Sequence, residues 1–146
     1  MEKAHEKTLF LDCDEGMTSQ IDTVKEYIIG KYDWVYTFHR TRLSSGYSTP
    51  ESSNTTLSYI FKDDTKVEQY VNDVLSKIYE YEIKPEIVFL DNGETREEGA
   101  KIYLYERQGQ DRKLKNVMFS SICNDSATFI IIDSQTIMMQ FGRKSM

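Results

Sequence analysis

Three apolar runs in this chain end in aspartate: TLFLDCDEG at Asp12 and Asp14, IVFLDNGE at Asp91, and FIIIDSQT at Asp133. Strand ends collect on one edge of a parallel sheet, and ligands bind there. Carboxylates gathered at such an edge could hold Mg²⁺, which takes oxygen ligands and keeps several waters. Asp12, Asp14, Asp91 and Asp133 are thus the candidate metal ligands of a phosphohydrolase or nuclease. A second set is Trp34, Tyr36 and Phe38, followed by Arg40 and Arg42. Alternate strand positions share a face, so this spacing predicts either an aromatic platform for nucleobases or a core face. A third set is Glu94, Glu97 and Glu98 in one loop, with Tyr79 and Tyr81 as expected exposed neighbours. Carboxylates beside tyrosines suit a basic protein partner.

The string LFLDCD resembles the first motif of haloacid-dehalogenase-type phosphatases, an apolar strand ending in Asp-x-Asp. That resemblance implies that Asp12 attacks phosphate and Asp14 serves as acid and base. Here Glu15 intervenes before Gly16, where the family continues directly with Gly. The alternating aromatics look similar to the open sheet face of ferredoxin-like RNA-binding domains, which stack bases on their strands.

Composition weighs among these. The chain has 146 residues, 39% hydrophobic and 12% aromatic, with net charge −6. That is enough for one domain with its own core and too aromatic for a disordered tail. An acidic surface disfavours nucleic acid and anionic membranes and suits a basic protein. The charged start, MEKAHEK, predicts no signal peptide. Two cysteines, Cys13 and Cys123, form no CxxC pair and predict two buried thiols in a reducing cytoplasm. With only two histidines, neither a zinc pattern nor a Cys–His nucleophile is indicated.

The elements that must position these residues follow from periodicity. Residues 8–12 read as a strand. Ile21, Val24, Tyr27 and Ile28 recur at helical spacing, ending at Gly30. Residues 34–42 read as a strand, 43–56 as a mobile Ser/Thr-rich loop, and Leu57, Tyr59 and Phe61 as the return strand. Thr65 and Glu68 look like a capping box for a second helix with Val67, Tyr70, Val71, Val74, Leu75 and Ile78 on one face. Strands follow at 87–90 and 100–105, then a polar loop over 106–116. The last strands are 117–123 and 128–141, bent at 133–135. Asp91-Asn92-Gly93 marks a turn.

This order predicts a single α+β domain over 1–146. Its expected core is a ferredoxin-like split β-α-β unit with two helices on one face of a mostly antiparallel sheet, extended by C-terminal strands. The expected function is a non-enzymatic, cytoplasmic, cofactor-free protein that binds a basic partner, as an inhibitor or immunity-type protein for a nuclease toxin would. The Mg²⁺-dependent enzyme and the nucleotide- or RNA-binding module are the alternatives.

Overall fold

The structure, a computed structural model, describes residues 11–132 and 136–144. Nine strands make one antiparallel sheet in the order β2-β1-β3-β4-β5-β6-β7-β8-β9, and β9 returns to pair with β1. Eight of them, β1 and β3 to β9, therefore close a barrel, while β2 is a short flap on the distal half of β1. The strands are β1 (Gly30–Arg40), β2 (Ser45–Ser48), β3 (Leu57–Phe61), β4 (Lys66–Val71), β5 (Val74–Phe89), β6 (Thr95–Gln108), β7 (Asp111–Ile122), β8 (Ser126–Ile132) and β9 (Thr136–Lys144). Closure leaves no free edge in the barrel wall itself.

The ferredoxin-like α+β expectation is overturned. Besides a 3-10 turn at Cys13–Glu15, the described residues hold helix α1 (Ile21–Tyr27) and one helical turn, α2 (Pro50–Ser53). The expected second helix is the β4–β5 hairpin, in which Val71 faces Val74 and Val67 faces Tyr79. Its turn is Asn72-Asp73, both left-handed at φ 50° and 66°. That is the conformation of a type I′ hairpin turn, which Asn and Asp tolerate. Thr65 also has positive φ, at 65°, and Lys62 N–H bonds Lys66 O at 2.9 Å, so the apparent capping box is a strand-to-strand turn.

The expected loop at 43–56 holds β2 and α2, the latter closed by a reciprocal Thr49–Ser52 capping box. The polar segment 106–116 is the far end of the β6–β7 hairpin, turning at Gly109 (φ 63°). Charged residues tolerate such strands because the outward positions face water.

The barrel is filled rather than hollow. Tyr32, Phe61, Phe129 and Phe141 are fully buried inside it. Their rings meet edge-on or tilted, Tyr32 to Phe61 at 5.3 Å and Phe129 to Phe141 at 5.4 Å between centroids. Such pairs add to the burial of their own area. Val24 and Ile28 close one end of this core with α1. Arg143, 4% exposed, ties the helix exit to the barrel. It donates to Tyr27 O, to Asn124 O at 3.0 Å and to the Tyr32 hydroxyl at 3.2 Å. Tyr32 in turn donates to Ile28 O at 2.6 Å. A guanidinium at the last helical carbonyls also complements the helix dipole.

Cys13 and Cys123 form a disulfide, which corrects the expectation of two free thiols. The segment from Leu11 to Ser19 is thereby strapped across the α1 end of the barrel. Leu11 N–H bonds Asn124 Oδ1 at 3.1 Å, and Thr18 bridges Ile122 antiparallel.

Candidate protein-binding surface

Beyond the barrel wall, β5 and β6 run on together as a two-stranded ribbon, residues 86–98, at the α1 end. β4 leaves β5 at Lys66 opposite Glu80, and β7 leaves β6 at Phe119 opposite Lys101. The ribbon pairs Glu86 with Glu98, Ile87 with Glu97, Val88 with Arg96 and Phe89 with Thr95. Asp91-Asn92-Gly93 makes its turn, as expected, with Gly93 at φ 86° and Asn92 Oδ1 accepting from Glu94 N–H at 2.9 Å.

One ribbon face carries Ile87, 46% exposed, and Phe89, 78% exposed. Glu97, opposite Ile87, shares that face, Glu86, Glu98 and Arg96 lie on the other, and Asp91 and Glu94 flank the turn. Glu86 and Glu98 lie opposite each other, a repulsive placement. Each is relieved separately, Glu86 by Lys101 at 2.6 Å and Glu98 by Arg96 at 2.7 Å. Glu97 has no ion-pair partner among the described residues. Phe89 and Ile87 thus make a small exposed apolar spot on an otherwise charged hairpin.

The expected site residues are not all brought together. Glu94 lies at the ribbon turn, while Glu97 and Glu98 stand in β6 rather than in a loop. Tyr79 and Tyr81 do not join them, because both point into the barrel and are only 8% and 7% exposed. Burial pushes the Tyr81 hydroxyl up to about 12, and it donates to Lys62 O at 2.7 Å. The exposure of Phe89 is not evident from the sequence, where it reads as one residue of a buried strand. What signal there is lies in its position immediately before a strong turn, where strands leave the core.

The aromatic platform is split. A β-bulge at Val35 shifts the register between Trp34 and Tyr36. Trp34 stays inside, opposite buried Phe141, and donates to Thr37 Oγ1 at 2.8 Å. Tyr36 and Phe38 go outside, where Tyr47 of β2 packs on them at 5.8 and 4.9 Å. An extra residue in a strand reverses every face beyond it.

Asp12, Asp14 and Asp91 do not gather into a metal site. Asp12 Oδ1 accepts from Asp14 N–H at 3.0 Å and so caps the 3-10 turn. Asp91 sits at the ribbon tip, and Asp133 lies outside the described residues. Among the described residues, no three His, Cys, Asp or Glu side chains are placed to hold a metal ion. No helix among them is long and apolar enough to cross a membrane. Comparison with family models, curated proteins and solved structures finds no match for this chain.

Proposed function

We propose that this protein is a protein-binding domain that holds a basic partner through the β5–β6 ribbon. One observation carries the reading: Phe89, 78% exposed, projects from the barrel among carboxylates that outnumber the cations around it. The charges steer encounter and the ring supplies the buried anchor. Burying such a ring contributes about 1.5–3 kcal/mol. The packed barrel is the rigid scaffold, and its aromatic interior leaves the ribbon, not the lumen, as the recognition element. An inhibitor of a nuclease toxin is the specific version, in which binding also silences the partner's activity.

The disulfide also bears on the compartment. Disulfides persist in oxidising surroundings, so the Cys13–Cys123 bridge supports an oxidising compartment over the expected cytoplasm.

Parallel pull-downs from the source organism test the reading. They compare the wild-type protein with Phe89→Ser and with the triple variant Glu94→Gln, Glu97→Gln, Glu98→Gln. A basic partner retained by the wild type, lost with either variant and lost at high salt is the expected result. A partner retained equally by all three would overturn it.

A further inference from the structure

The ribbon has two flanks where a neighbouring strand falls away, and the chain treats them differently. On the β6 flank, the wedge between β6 and β7 is filled by the strap. Thr18 and Ile122 exchange both backbone bonds at 2.9 Å, and Ala100 N–H bonds Ser19 O at 2.7 Å. Gly99 makes room, since a Cβ there would lie 2.6 Å from Ser19 Oγ. The strap thus acts as a short added strand.

On the β5 flank, the last inter-strand bond is Tyr81 N–H to Thr65 O at 2.9 Å. The left-handed turn at Thr65 then carries the chain away from β5. From Glu82 to Phe89, no strand covers the outer edge of β5 among the described residues. Two bonds set the phase of that edge. Tyr81 donates outward, and Ala100, opposite Pro85, donates away from β5. Antiparallel alternation therefore turns the N–H and C=O of Ile83 outward as well. Pro85 occupies the next outward position, where its missing N–H interrupts no ladder bond. The edge opens on a groove of about 550 Å³ whose wall includes Ile28 and Ile29 from the α1 exit and Asp63 and Thr65 from the β3–β4 turn.

Resting on the ribbon reading, we propose that the partner supplies an extended basic segment that adds to β5 as a strand. Its main chain pairs with Ile83 and an apolar side chain sits on Ile29; its cations serve only the ribbon carboxylates of the parent reading, since the groove's own charges, Lys25 and Lys84 against Asp63 and Glu82, balance. Strand addition draws affinity from main-chain bonds and specificity from alternate side chains. The filled β6 flank shows this fold already accepting such a segment in cis.

The test uses the full chain and a ten-residue probe peptide in which Val alternates with Lys or Arg. Two further versions carry backbone N-methyl groups, on odd or on even positions. We expect one methylation phase to weaken binding at least tenfold and the other to change it little. The Ile83 amide should slow in hydrogen exchange at least tenfold at peptide saturation. Failure of the peptide to bind, equal effects of both phases, or an unchanged Ile83 amide would overturn strand addition. Protection of Ile83 without peptide, in a protein that sediments as a dimer, would overturn it in favour of a second copy. The triple Glu→Gln variant separates this from the parent reading. If it binds the probe like wild type while Ile83 is still protected, strand addition stands and the acidic-ribbon reading falls.

Discussion

The two flanks of the ribbon belong to one hairpin, yet one is sealed and the other open. β6 is covered by the strap, which is held by the Cys13–Cys123 bridge and by the Thr18 and Ser19 backbone bonds. On its outer flank β5 bonds the end of the β3–β4 turn at Thr65, and among the described residues no strand pairs with it past Ile83. An uncovered edge invites pairing, and proteins normally blunt it with charge or proline. Here Pro85 stands at the edge with Glu82, Lys84 and Glu86 around it. These residues blunt the edge without closing it. Among the described residues, one flank of the hairpin is thus paired and the other is open.

The sharpest way to break the contrast is to release the strap. Cys13→Ser with Cys123→Ser removes a cross-link with a sequence separation of 110 residues. The expected loss is roughly 3–5 kcal/mol, or about 10–15 °C in Tm. Calorimetry under non-reducing conditions measures it. A loss below about 1 kcal/mol would mean that the strap is held by its backbone bonds alone.

A smaller effect comes from crowding the sealed flank. Gly99→Ala would place a methyl 2.6 Å from Ser19 Oγ and 2.9 Å from its Cβ. Overpacking of this kind costs about 1–3 kcal/mol. Adding Ser19→Gly removes both colliding atoms and should restore most of the loss. Denaturant unfolding of the single and double variants reads both. No rescue would place the strain elsewhere than at the strap.

Alkaline titration probes the open side and the core beneath it. Burial raises the Tyr32, Tyr59 and Tyr81 hydroxyls to about 12, from about 10 in the unfolded chain. The folded state therefore holds these protons more tightly. Their contribution to stability is complete below pH ~10 and is lost as pH rises towards ~12. Tyrosinate absorbance at 295 nm should rise in two stages, exposed rings first, with the second stage accompanying unfolding. A single stage centred near pH 10 would contradict the burial.

The smallest stability effect belongs to the ribbon. Glu94, Glu97 and Glu98 are all exposed. Their joint replacement by Gln should alter unfolding free energy by less than about 0.5 kcal/mol, as at ordinary surface sites. A larger loss would make them structural rather than recognition residues.

Some of this was legible in the sequence. Helix α1 lies where Ile21, Val24 and Ile28 placed it, and the turn at Asp91–Gly93 is real. The acidic residues lie on one hairpin, with Glu97 and Glu98 in β6 rather than in the expected loop. The second helix failed because Val67, Val71, Val74 and Ile78 fit a helical stripe. The same residues fit two strands folded at Asn72-Asp73, and the left-handed turn decided between them. The aromatic alternation failed at a single inserted residue, Val35, which no period reveals. The disulfide brings together cysteines that only the closed barrel makes neighbours. The open flank is a property of where β4 stops relative to β5, and register of that kind is set by tertiary closure.

Amide hydrogen exchange of the free protein, read residue by residue, tests the asymmetry most directly. The account predicts that Ala100, Thr18 and Ile122, whose amides are bonded within the strap, exchange at least a hundredfold more slowly than Ile83. Protection of Ile83 equal to that of Ala100 would mean that the β5 edge is already covered, and the open flank would not exist.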